Sequence, residues 1–222
     1  MKRNSMQIKE LHIRTNDLPG TEYFYHEVLD LPIEEKSELH LLFRLKQSLL
    51  HFNFFDNRPS IYHIAFNIPC NGIAEALQWL KNKISIIPID DSLIADFKNW
   101  NAKAFYFFDN NKNIIEFIAR DDLKNQSDLP FDASSILSVS EVGIVTKHVE
   151  ETCLELKNKY GLDYFPKQPP LKDFAALGDD HGLFIVVSEN RNWYPTNISS
   201  SKHWSRIVFT NRETETSLET SP

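Results

Sequence analysis

The chain has 222 residues, 41% apolar and 12% aromatic, enough for one large domain or one and a half ordinary ones around a real core. A formal net charge of -7 with no long Lys/Arg run argues against nucleic acid as a partner, and two cysteines, Cys70 and Cys153, with no CxxC argue against a disulfide framework or a thiolate zinc site. Polar residues follow Lys2 and Arg3 where a secretory leader would be apolar, and no apolar run approaches the roughly 18 residues of a membrane span, so a soluble, cytoplasmic protein is expected.

Residues 6–14 alternate, with Ile8, Glu10, His12 and Arg14 on one face and Leu11 and Ile13 on the other, which predicts a strand ending at Thr15-Asn16. Asn16 or Asp17 can cap the following helix, Pro19 suits its first turn, and Leu18, Val28 and Leu31 mark its apolar stripe before Pro32 closes it. Three short strands are predicted next, at about 33–36, 39–45 and 48–55, and the last puts Leu49, His51, Asn53 and Phe55 on one face. DNRPS is a turn. The first 58 residues or so therefore spell β-α-β-β-β.

The unit then repeats. SIYHIAFNIP, residues 60–69, is a strand with Tyr62, Ile64, Phe66 and Ile68 on one face and Ile61, His63, Ala65 and Asn67 on the other. His63 beside the small Ala65 has room to point at something. A helix runs from Asn71-Gly72 to about Asn82, residues 84–89 form an edge strand interrupted by Pro88, and 90–101 is a loop or short helix. Strands at 104–108 and 114–119 flank a DNNKN hairpin turn. Residues 121–132 are polar and predict a linker.

The pattern begins a third time at an offset of 131, where Glu141 to Val149 overlay Glu10 to Leu18 and Tyr160-Gly161-Leu162 meets Leu29-Asp30-Leu31. Later strands are predicted at about 173–177, 182–188 and 204–209, with a turn at Asp179–Gly182 and a disordered tail rich in Thr, Ser and Glu. Glu141 repeats the position of Glu10. No His or Glu stands at the matching closing strand, where Arg206, Val208 and Thr210 alternate, so this third unit is expected to be structural, with Trp193 and Trp204 as apolar cover.

The stretches IRTNDLPGTEYFYHEVLDLPI, YHIAFNI and NIIEFIAR, in that order, resemble the vicinal oxygen chelate superfamily of glyoxalases, extradiol dioxygenases and fosfomycin- and bleomycin-resistance proteins. The resemblance implies an α+β fold of βαβββ modules, with residues 1–120 a complete two-module curled-sheet domain, 121–135 a linker, 136–210 a third, half-domain module and 211–222 a disordered tail. It also implies metal ligands on the first and last strands of each module. Counting seven residues back from Asp17 gives Glu10, with His12 as its substitute; the second first-strand ligand is His63, the closing-strand ligand is Glu116, and the remaining position falls nearest His51.

Two imidazoles and two carboxylates suit a divalent first-row metal such as Fe, Mn, Ni, Co or Zn. Such an ion acts as a Lewis acid toward a small vicinal-oxygen substrate, and Glu116 or Glu10 can serve as base beside it. A smaller set of two His and one carboxylate would suit Fe(II) and dioxygen. Tyr106, Asn53 and Asn67 are candidates for substrate contact. The expected function is a metal-dependent lyase/isomerase or ring-cleaving dioxygenase. The alternative is a metal-free binding or resistance protein that sequesters a small molecule, with Glu10 paired to His12, His51 or Arg14 and Glu116 to His63. A half-domain would leave a sheet edge open, which leads to the expectation of a homodimer.

Overall fold

A threonine ends a strand at two places 131 residues apart, and both times it builds the same turn into a helix. Thr15 Oγ1 lies 3.0 Å from Thr21 Oγ1 and accepts from the Asp17 backbone; Thr146 Oγ1 lies 2.9 Å from Thr152 Oγ1 and accepts from the His148 backbone. Asp17 also caps its helix by accepting from the Gly20 N–H at 2.9 Å.

The structure, a computed structural model, describes residues 5–56 and 59–222. The residues after the start that bear on a leader, Lys2 and Arg3, and the centre of the DNRPS turn lie outside the described residues.

The first module is β1 (Gln7–Thr15), α1 (Leu18–Glu22) running on as a π-helical stretch Tyr23–Val28, β2 (Ile33–Lys36), β3 (His40–Arg44) and β4 (Leu49–Phe54). The second is β5 (His63–Ile68), α2 (Ile73–Leu80), β6 (Ile86–Ile87), β7 (Ala95–Phe97), β8 (Ala102–Phe108) and β9 (Ile114–Arg120). The third is β10 (Ser138–Thr146), α3 (Val149–Tyr160), β11 (Phe174–Asp179) and β12 (Gly182–Ser188), and a hairpin of β13 (Ser205–Asn211) and β14 (Thr214–Thr220) follows. The α+β class and the βαβββ modules are those expected. No helix among the described residues is long and apolar enough to cross a membrane.

Two sheets form, in the orders β14-β13-β1-β4-β3-β2 and β11-β12-β10-β5-β9-β8-β6, with β7 added alongside β8. This pairing departs from the expected domain boundaries. The second module shares its sheet with the third, through antiparallel β5 and β10, while the first is completed by the C-terminal hairpin, through antiparallel β1 and β13. The third module therefore has no open edge along β10, and the packing reason for a homodimer is met within the chain. The stretch expected as its last strand belongs to the other sheet.

The tail is also ordered where disorder was expected. Strand β14 pairs with β13 from Ser205↔Thr220 to Asn211↔Thr214, and its Leu218 packs on the core. Its Thr-rich alternation TETSLET is strand-forming although polar. Pro88 trims the predicted edge strand to the two residues of β6, and part of the predicted 90–101 loop is β7. The polar linker is docked on the second module, with the Cys70 backbone donating to Asn125 and the Phe131 backbone to Glu75.

Strand alternation sorts the core. Ile64, Phe66, Phe105, Phe107, Ile115, Phe117, Val142 and Phe184 join residues of the first sheet, such as Leu11, Ile13 and Phe209, in one large cluster that also takes in helix residues Ala76, Cys153 and Leu156. The opposite face of the second sheet carries Ala65, Ala104, Tyr106, Ile114, Ile118, Leu183 and Ile185. That face bears the site.

Candidate metal centre and ligand pocket

The register of the second sheet lines up Leu183, Glu141, Ala65, Glu116 and Tyr106 in one row across β12, β10, β5, β9 and β8. The methyl group of Ala65 leaves space between the two glutamates. His63, two residues along β5 on the same face, reaches into that space, with its Nε2 3.6 Å from Glu116 Oε2 and 3.8 Å from Glu141 Oε2. One donor atom from each of the three lies within 4.8 Å of the others, and all three residues are buried.

A bulge aims Glu141. The ladder between β10 and β5 shifts at Ser140, so Val139 and Val142 both reach the large core while Glu141 turns to the opposite face. The same shift occurs 131 residues earlier between Ile8 and Glu10, so the bulge belongs to the repeat. Next along β10, Gly143 makes room for Trp193: a Cβ there would stand 2.5 Å from Trp193 Cη2. Trp193 packs on the His63 imidazole with ring centroids 5.3 Å apart.

Arg120, at the end of β9 on the same face and fully buried, donates from Nη2 to Glu141 Oε1 and from Nε to Asn67 Oδ1 at 3.3 Å. Its Nη1 faces Asp180 Oδ1 at 3.6 Å, and Asp180 in turn pairs with Lys167. Burial first, and then the Glu141 carboxylate, hold the Glu116 carboxyl well above the usual carboxylate range against the pull of Arg120. The Tyr106 hydroxyl bonds Glu116, and burial followed by the two carboxylates raises it well above the usual phenol range. A divalent cation between the three groups would relieve the same repulsion. One imidazole and two buried carboxylates facing a single guanidinium are a donor set that fits such an ion. His63, Tyr106, Glu116 and Glu141 line a cavity of about 250 Å³ together with Phe97, Trp100, Phe174, Trp193 and Tyr194.

The structure divides the expected four-ligand set. His63 and Glu116 come together, whereas Glu10 and His51 lie on the other sheet with His12, because β1 pairs with β13 and β4 and never meets β5. Glu141, from the third module that was expected to be structural, joins His63 and Glu116 in this group. Its signal in the sequence was the repeat offset itself. Trp193 lines the cavity, so it is more than cover. Tyr106 faces the site. Asn67 shares the face but is tied to Arg120 and to the Asp180 carbonyl, and Asn53, on the first sheet, donates to the Ile13 carbonyl at 3.2 Å.

No protein-family model matches the chain, and no curated protein matches it in sequence. Solved structures do. A candidate dioxygenase from Bacillus subtilis superposes with a TM-score of 0.62 at 13% identity over 99% of this chain and 86% of its own. Glyoxalase I from Zea mays superposes with a TM-score of 0.59 at 12% identity over 98% of this chain and 92% of its own, and its V278E mutant gives 0.60 over 99% and 94%. Identities this low speak for architecture alone. Two sheets of βαβββ modules, each completed from a distant part of the chain, and these likenesses across nearly its whole length give the chain the vicinal oxygen chelate fold.

Proposed function

We propose that the chain is a metal-dependent enzyme of the glyoxalase/dioxygenase type, acting on a small molecule with two vicinal oxygens. The observation that carries this reading is the buried His63–Glu116–Glu141 group lining the same cavity as six aromatic side chains. Those three residues would hold a divalent first-row metal, which when bound supplies Lewis-acid polarisation of the substrate's oxygens. Glu10 and His51 are left out of this centre.

The remaining work falls to the chain's own groups. Arg120 fixes Glu141 through Oε1, which leaves Oε2 toward His63 and free to serve as a ligand. Glu116, its carboxyl held above the usual range by burial and the Glu141 carboxylate, is suited to taking up and returning a proton, and Tyr106 orients it. In a lyase or isomerase that proton comes from carbon beside a carbonyl; in ring cleavage it comes from a catechol hydroxyl. Phe97, Trp100, Phe174 and Trp193 exclude water and favour a flat apolar body on the substrate.

The test is elemental analysis of protein purified without chelator, beside His63→Ala/Glu116→Ala. The double variant should lose one equivalent of metal per chain; an unchanged content would overturn the assignment. A panel of catechols and hemithioacetals then separates ring cleavage from lyase chemistry. A second reading, a metal-free protein that sequesters an aromatic ligand, is favoured by one feature: Arg120 already supplies a positive charge to Glu141. That reading requires tight ligand binding that survives chelation.

A further inference from the structure

The cavity that holds the His63–Glu116–Glu141 group has two ends, and they differ in charge. The two buried carboxylates stand at one end. Along β12, Leu183 lies beside Glu141, Ile185 and Val187 follow on the same face, and Phe174 of β11 stands opposite Val187. A strand rises about 3.3 Å per residue, so the steps from Leu183 to Val187 lead about 13 Å along the sheet from the Glu141 row. Arg191 belongs to that far end. Its backbone donates to the Ser188 carbonyl at 3.3 Å, just past β12, and its Cζ lies 5.2 Å from the centre of the Phe174 ring. Among the described residues that line the cavity, it alone carries a permanent positive charge.

Its neighbours leave part of the guanidinium unused. Asp173 accepts from Arg191 Nε at 3.1 Å, and the Asn192 carbonyl accepts from Nη1 at 3.5 Å. No described residue accepts from Nη2. The side chain of Asp173 is 53% exposed and that of Arg191 30%, so water screens the pair and the pairing is weak. Asp173 orients the fork more than it neutralises it. Between this fork and the glutamates the walls are apolar or aromatic, from Ile185, Val187, Phe174 and Trp193. Such a slot fits a ligand that is polar at both ends and flat and apolar between them.

We propose that the substrate carries an anionic group at the end remote from its two vicinal oxygens, and that Arg191 is the specificity-determining residue that binds it. The substrate class is a flat, vicinally oxygenated acid. Its charged group is a carboxylate: the open edge of the guanidinium matches a planar carboxylate, and no second permanent cation lines the cavity to hold a dianion such as a phosphate monoester. The inference rests on the proposed function for the place of the vicinal oxygens, whereas the acid end is held without metal.

The experiment is equilibrium dialysis of two probes against the full-length chain, with and without added Co2+. The probes are dihydrocaffeate, a catechol with a propionate chain, and its primary amide, which differ only in the charge of the terminal group. The acid should bind about 10–100-fold more tightly than the amide, the worth of a hydrogen bond between charged groups held partly out of water. Arg191→Gln should bring this ratio close to one. Arg191→Lys, which keeps the charge and loses the planar fork, should leave an intermediate ratio, and it becomes the deciding variant if circular dichroism shows Arg191→Gln to be unfolded. Equal binding of acid and amide by the wild type, a full preference that survives these substitutions, or no binding of either probe at millimolar concentration overturns the proposal. Its failure is separable from that of the metal centre. A chain that holds metal through His63 and Glu116 yet binds acid and amide alike loses only the acid end, whereas a metal-free chain that still prefers the acid keeps the role of Arg191 and loses the Lewis acid.

Discussion

Gly143 shows how one missing methyl group shapes the site. Its place on β10 lies beneath Trp193, and a Cβ there would stand 2.5 Å from Trp193 Cη2 and 3.3 Å from His63 Cβ. An indole is rigid and His63 is held in the sheet, so neither yields cheaply. Gly143→Ala is therefore expected to push Trp193 off the imidazole and destabilise the fold by about 1–3 kcal/mol, as overpacking of a filled core does. Comparing its fluorescence with that of Trp193→Phe, which removes the reporting indole, assigns the change: a red shift present with Trp193 and missing without it supports the contact. An unshifted spectrum with unchanged stability would mean that the cavity wall is looser than its geometry. At this scale His63 was legible from strand alternation and a small neighbour. Glu141 was legible only through the repeat offset, because the bulge at Ser140 breaks the period-two count on which face assignment rests.

Among the elements, the β8–β9 turn joins the second module to the helix of the first. Asp109 accepts from Tyr25 Oη at 3.0 Å, Asn113 Nδ2 at 2.7 Å and the Asn111 and Asn113 backbones. Burial raises its carboxyl to about 6 from 3.8, although these four donors pull the other way. A raised carboxyl means that the folded chain holds a proton the unfolded chain has released between about pH 4 and pH 6. Stability from this group thus falls as pH rises through that window, and is regained on acidification, by on the order of 3 kcal/mol. Asp109→Asn cannot ionise and turns an amide toward some of the donors. The variant should be less stable than the wild type throughout, with a gap that widens on going from pH 7 to pH 4; urea unfolding at the two pH values checks this, and a constant gap would mean that Asp109 does not titrate there. The DNNKN turn itself was legible from composition. Its partner Tyr25 was not, since nothing local ties a helix residue to a turn 84 positions on. Strand β14 was missed for a related reason: Thr, Ser and Glu suggest a loose tail until β13 offers a ladder.

On the scale of the whole molecule, each sheet is closed by a strand from far along the chain. Gln7 pairs with Thr210, and Ala65 with Glu141, so the first strand of each N-terminal module depends on a partner beyond residue 120. Module boundaries were legible because each βαβββ unit repeats its own local pattern. Which module joins which is decided by edge pairing across the whole chain, and short-range periodicity holds no record of it. The consequence is a claim about autonomy. A fragment of residues 1–120 keeps both N-terminal modules yet strips β1 of β13 and β5 of β10, leaving two long edges and the apolar face shared with Phe184 and Phe209 uncovered. Such a fragment should show no cooperative thermal transition and should aggregate, whereas co-expression with residues 121–222 should restore soluble protein with a single transition. A fragment that melts cooperatively alone would mean that the two N-terminal modules form a domain of their own, pairing β1 directly with β5, and the separation of the two histidine clusters onto different sheets would have to be abandoned with it.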